Sequence, residues 1–267
     1  MVALQAIAIL NVLYLVIHIV GDIVHGTQTA PPFAVAMGLT LFSGGPWLAV
    51  ARIRRRLAAT LEIGDAHLVV SRPRSRIEIP LASVKTIRPF SLPLPGPGLG
   101  LVMNSGHSFR YAIEADEPGA LLSALAGDFD SARAAQGQRV VAYADAKSKY
   151  GKRRRSIAAL KWILMPLALG VILFRLDQYI MFGGAFGQYR LHGLGPYLKS
   201  FATYWAGATS YLVLYASVVR LAVEPLALLV TLLATSRARL VRRIAELACH
   251  AAYFGLVPAF VAYRLLL

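Results

Sequence analysis

Four polar residues interrupt an apolar N-terminal stretch: Asn11, His18, Asp22 and His25. Their spacings of seven, four and three put all four on one face of a helix. Imidazole and carboxylate together suit Zn, Fe or Mn, so His18, Asp22 and His25 form a candidate metal-ligating set. The competing reading is a polar stripe hydrogen-bonded to neighbouring helices, with Asp22 and His25 wetted at the outer surface. Gly21 and Gly26 weaken the helix at this point, and no second helix carries a Glu-x-x-His pair to complete a centre. His67, His107, His192 and His250 are scattered along the rest of the chain.

A second candidate is the pair Arg220 and Glu224, four residues apart in a long apolar run. A charge deep in a bilayer costs about 2.5–3.5 kcal/mol on insertion scales, and an intrahelical pair lowers that cost. Either the pair serves an ion or proton pathway or a subunit contact, or it neutralises itself on a face turned to other protein. Both readings keep that face away from lipid.

Enzyme signatures are missing from the sequence. It has no Gly-x-Ser-x-Gly, no His-Glu-x-x-His, no phosphate loop and no dinucleotide fingerprint. Asp128 and Asp130 form a short Asp-x-Asp without a transferase domain around it. The single cysteine, Cys249, excludes an intramolecular disulfide and reads as a small packing residue in an apolar run. No cofactor is predicted.

The elements that must position these residues are mostly membrane spans. Hydrophobic residues make up 57% of the 267 and charged residues only 15%, where a soluble domain carries about 25%. Spans are predicted at about Ala3–Ile23, Phe33–Ala51, Ile157–Phe174, Phe201–Ala234 and Leu247–Leu266, each long enough for the ~20 residues of a crossing. No Lys or Arg precedes the first run, which therefore reads as a span and not as a secretory signal. The run from Phe201 to Ala234 is long enough for one tilted helix or two short ones. Arg237, Arg239, Arg242 and Arg243 favour one, because they belong on the same side as the other basic clusters.

Those clusters also set the orientation. Arg52, Arg54, Arg55 and Arg56 follow the second span, and Lys152, Arg153, Arg154 and Arg155 precede the third, while the first connection, 26–32, has no basic residue. The positive-inside rule then makes the N-terminus and the stretch between the clusters cytoplasmic and the C-terminus external. The formal charge of +15 is concentrated in these collars, which meet anionic lipid; no aromatic-basic groove points to nucleic acid. The loop 175–200 lies outside and is rich in Tyr, Phe and Gly, with Tyr179, Phe182 and Tyr189 as candidate partner contacts.

Between the collars, short alternating runs broken by Gly, Pro, Asn and Ser predict antiparallel strands, and Leu121, Leu122 and Leu125 predict a closing helix. The opening Glu62-Ile-Gly-Asp-Ala-His-Leu-Val-Val70 and the core Ile79-Pro-Leu-Ala-Ser-Val-Lys-Thr-Ile87 resemble the bacterial pleckstrin-homology-like domains of membrane proteins. The strand at Gly98–Met103, the strand at Phe109–Glu114 and the helix follow the order of that family. The resemblance covers about a quarter of the chain and implies a partly open β-barrel with a C-terminal helix, without catalytic residues, in a bacterial inner membrane. The loop Pro89–Gly98, with four prolines and two glycines, departs from the pattern by its stiffness. Pro93, Pro95 and Pro97 in it are candidate partner contacts.

The fold expected is thus an α-helical transmembrane bundle of five spans with an inserted cytoplasmic pleckstrin-homology-like β-barrel capped by one helix. Residues 1–52 hold spans one and two, 57–127 the β-domain, 128–156 a basic linker and 157–267 spans three to five. The function expected is a non-catalytic accessory, scaffold or assembly subunit docking other membrane-protein subunits. The alternative is a membrane enzyme or small-solute transporter using the His18, Asp22 and His25 face and the Arg220–Glu224 pair.

Overall fold

The computed structural model describes residues 1–27, 31–57, 60–64, 67–72, 75–90, 97–109, 113–115, 117–151 and 155–266. Five helices are long and apolar enough to cross a bilayer: Val2–His25, Pro32–Ile53, Ile157–Phe182, Leu194–Leu233 and Thr235–Tyr263. The protein is a membrane protein by this measure. Large apolar side chains stand bare along the first span, as Ile17 and Val24 do, each more than two-thirds exposed. In a water-soluble chain such faces would be covered.

The third helix outruns its predicted end. It continues past Arg175, Asp177 and Gln178 to Phe182 and stops at Gly183, whose φ of 68° is the left-handed conformation that closes a helix. The charges are tolerated within the helix, and the glycine terminates it. The fourth helix is one continuous element of 40 residues through Pro225.

Prolines leave a regular mark on three of the other spans. Wide π-turns at Leu39–Gly44, Leu160–Leu164 and Ala252–Leu256 each end two residues before a proline, namely Pro46, Pro166 and Pro258. A proline ring clashes with the carbonyl four residues earlier and offers it no N–H. Widening the preceding turn moves that carbonyl aside while the helix stays continuous.

Contacts divide the chain into two compact units. One comprises Ala3–Ala49 and Arg153–Leu221 and has helices but no strand among the described residues. Its core gathers Val12, Val35, Leu39 and Leu214 from the first, second and fourth spans. The third and fourth spans approach so closely at Gly170 that a Cβ there would lie 2.9 Å from the Cα of Trp205. Close backbone approach of this kind is how helices gain packing energy in lipid.

The other unit comprises Met1–Val2, Val50–Lys152 and Ala222–Leu267. It holds two antiparallel sheets. The first is β1 (Thr60–Ile63), β2 (His67–Arg72) and β3 (Ser75–Pro80) in sequence order. The second is β4 (Val84–Pro89), β5 (Gly98–Met103) and β6 (Ile113–Glu114). Alternation along β2 sends Leu68 and Val70 inward. Strand β4 breaks the rule, since Val84 and Ile87 are three apart yet both buried. A register shift between Val84 and Thr86 supplies the reason: Lys85 is an extra residue in a bulge, so the inward face changes parity.

Two features differ from the sequence expectation. Among the described residues the strands do not close into a barrel. Each sheet is a three-stranded meander, and Pro80 and the short turn Leu81–Ser83 separate β3 from β4. Nor does one helix cap the sheets. The predicted linker 128–156 contains the helices Asp130–Gln136 and Arg139–Gly151, and Ala132, Ala135 and Val141 join Leu122 and Leu125 in the same core as the strands. Small alanines pack closely there but give little hydrophobic signal in the sequence. Ser131 completes the join by accepting the Ile87 N–H of β4 at 3.1 Å.

Candidate functional site

The densest charged cluster forms where the helix Arg139–Gly151 meets the end of the fourth span and the start of the fifth. Glu224 accepts hydrogen bonds from Nη1 and Nη2 of Arg242 at 2.9 and 3.1 Å. It also accepts the Tyr143 hydroxyl at 2.7 Å and the Lys147 ammonium at 3.3 Å. Arg242 makes a further short contact to Glu246, one turn on in its own helix. Arg242 is almost fully buried, and Tyr143 nearly so. Two parallel guanidinium bonds to one carboxylate are a strong and directional arrangement. Three of these donors meet Oε2 of Glu224 and one meets Oε1, so the cluster holds the three helices together.

Neighbouring contacts extend the join. Arg139 donates from Nη1 to the carbonyl of Leu232 at 2.8 Å, serving one of the last-turn carbonyls that the fourth helix cannot satisfy itself. On the opposite side of the Arg139–Gly151 helix, Asp145 accepts the backbone N–H of Gly119 at 3.0 Å. Gly119 lies in the first turn of the helix Pro118–Leu125, whose own preceding residue, Glu117, provides no side-chain cap. The anion comes instead from a tertiary neighbour, at the end of the helix that favours negative charge. A Cβ on residue 119 would collide with the Asp145 carboxylate, which would have to move off the Gly119 N–H. Burial pushes the Asp145 carboxyl above its ordinary range, the Gly119 N–H pulls it back, Glu117 pushes it further up and Arg239 pulls it down.

The residues singled out in the sequence are placed as follows. Nδ1 of His18 lies 2.9 Å from Oδ2 of Asp22, and Thr27 donates to Oδ1 of the same carboxylate at 3.0 Å. His25 turns away and donates to the Gly21 carbonyl at 2.7 Å. The predicted set of three ligands does not converge, because the backbone of its own helix takes the His25 ring. Among the described residues no group of three or more His, Cys, Asp or Glu side chains is arranged to hold a metal. Asn11 links the first two spans, donating to the Gly38 carbonyl at 3.2 Å and to Ser43 at 2.8 Å, and Ser43 donates to the Ala8 carbonyl at 3.2 Å.

Tyr179 and Tyr189 are exposed, and Phe182 is half-buried with its ring edge-on to His192. They lie not in one loop but on the end of the third helix and on the short helix Gly187–His192, which are tied together from within. Gln178, fully buried, donates to Gln188 at 2.9 Å, and Gln188 donates to Ser200 at 2.9 Å. Pro97 is half-buried, its carbonyl accepting the Ala115 N–H at 3.0 Å. Pro93, Pro95, Lys152, Arg153 and Arg154 lie outside the described residues. Arg52 stands exposed near the end of the second span, and Arg54, Arg55, Arg56 and Arg155 lie on helical backbone.

Tyr143, Lys147 and Glu246 have no place in the sequence prediction, and Arg242 enters it only as one of the arginines that set the number of crossings. Glu224 was visible there as a charge in an apolar run, paired by its i, i+4 spacing with Arg220. Its contacts to Arg242 and Lys147 span 18 and 77 residues, beyond the reach of local spacing. One signal was available: Arg242 shares a helical stripe with Ala238 and Ala245, both small and buried, as a residue on an inward face would. No protein-family model, no curated protein and no solved structure matches this chain.

Proposed function

We propose that the chain is a non-catalytic accessory or scaffold subunit of a larger membrane complex, with its sheets and their helices forming a cytoplasmic docking domain of the pleckstrin-homology-like kind. The orientation follows the arginine collars, with the N-terminus inside and the C-terminus outside. One observation carries the reading: Glu224 is held from the domain side by Tyr143 and Lys147 and from the fifth helix by Arg242. A domain fixed to helix ends presents a partner with a surface of set direction, at low ordering cost on binding.

Purification of the full chain from its native membrane in mild detergent tests the proposal. At least one further membrane protein is expected to remain bound in stoichiometric amount, and to be lost from Glu224→Gln chains that still insert. A lone, monodisperse monomer from the unaltered membrane would rule the reading out.

A further inference from the structure

The helical segment Ala238–Ala251 carries three distinct stripes. Ala238, Arg242 and Ala245 are buried, on the side that packs against Arg139–Gly151. Leu240, Ile244 and Leu247 lie on the far side, 53%, 56% and 59% exposed. At about 100° per residue, Arg239 and Arg243 fall together along one border of that apolar stripe. Both are exposed. The one acid on the segment, Glu246, is half-buried and turned to Arg242.

The length of the fifth helix separates this segment from the crossing itself. Thr235–Tyr263 has 29 residues, where a crossing needs about 20. Its charged residues, from Arg237 to Glu246, all fall in the first half. A surface segment that ends at Leu247 leaves residues 248–266, 19 of them, for the crossing. An apolar stripe bordered by arginines is the pattern of a helix lying in the headgroup layer, where long basic side chains reach up to phosphate.

We propose that residues 238–247, the first turns of the fifth helix, form a membrane-surface segment that binds an anionic leaflet, with Leu240, Ile244 and Leu247 in the boundary between headgroups and acyl chains and Arg239 and Arg243 on lipid phosphates. Its inward face carries Arg242, so the helix that touches lipid also holds Glu224. The inference rests on the chain being an integral membrane protein and is independent of the docking role.

The test uses the full chain with Cys249→Ser and single cysteines at positions 240, 243, 244 and 247, each carrying a nitroxide. The protein is reconstituted into phosphatidylcholine vesicles with and without phosphatidylglycerol. Labels at 240, 244 and 247 should collide with oxygen more than with a water-soluble nickel chelate, at a depth of about 5–10 Å. The label at 243 should show the reverse. Replacing Arg239 and Arg243 by Gln should lower phosphatidylglycerol enrichment around the protein by about fivefold per arginine, and Lys at both positions should restore it. Nickel access at 244 and 247, protection from both reagents, or enrichment unchanged by the Gln substitutions would each overturn the proposal. A lone monomer in mild detergent would remove the docking role and leave these results standing.

Discussion

Glu224 and Arg242 face each other with both carboxylate oxygens matched to both guanidinium Nη nitrogens, at 2.9 and 3.1 Å. Eighteen residues apart, they join the fourth span to the fifth helix at a point where Tyr143 and Lys147 also reach in. Removing one partner breaks a buried charge pair, which costs up to about 3–5 kcal/mol, although Glu246 stays with Arg242, and Tyr143 and Lys147 stay with Glu224. Glu224→Gln and Arg242→Met should each lower the thermal unfolding midpoint in detergent sharply. The double variant should fall by much less than the sum of the two. Additive losses in that cycle would show that the two residues do not interact.

Gly119 and Asp145 make a second, smaller test. Gly119→Ala adds a methyl where the Asp145 carboxylate sits, and overpacking of this kind costs about 1–3 kcal/mol. Gly127→Ala, where a Cβ meets nothing within 4 Å, should be near neutral. Limited proteolysis between Pro118 and Gly127 reads both, with faster cleavage expected only for the first.

The Asp145 carboxyl is held above its ordinary value of 3.8, chiefly by burial. The folded state therefore binds this proton more tightly than the unfolded state. Its stabilising contribution is complete below pH 3.8 and is lost as pH rises through the raised value. Asp145→Asn keeps an oxygen for the Gly119 N–H and removes the titration. Its stability relative to the parent should rise as pH increases across that window and then level off. A difference independent of pH would refute the assignment.

In the helical unit, Gly170 lies against the backbone of Trp205. Gly170→Ala should separate the third and fourth spans and lower the unfolding midpoint, by about 1–3 kcal/mol of stability. Gly21→Ala, with open space at the Cβ, should be neutral or slightly stabilising. Equal effects at the two sites would show that helix propensity, and not interhelical contact, decides.

How much could be read beforehand depends on the range of each interaction. Hydropathy over ~20 residues marks the five spans, and the arginines after Ala234 show the fourth to be a single helix. Alternation finds the strands but misses the bulge at Lys85, which is a matter of pairing with Met103 and Val102. The stretch after Asp128 reads as an alanine-rich, partly helical linker, and its packing into the core of the sheets is hidden because the buried face is Ala132, Ala135 and Val141 among polar residues. The His18, Asp22 and His25 stripe has true helical spacing, but spacing does not set side-chain direction, and His25 bonds back to Gly21. The Glu224 cluster was the least legible, because its partners are distant in sequence and each is an ordinary surface residue type.

The grip of Arg139 on the Leu232 carbonyl, with Tyr143 and Lys147 on Glu224, has a mechanical consequence. A pull on the sheets cannot be taken up by slack in a tether. It loads the ends of the fourth and fifth helices, or it breaks charged contacts that are costly to break. The domain acts as a lever with a short arm, and force or torque applied by whatever grasps it is delivered to the fourth span at Glu224 and Leu232.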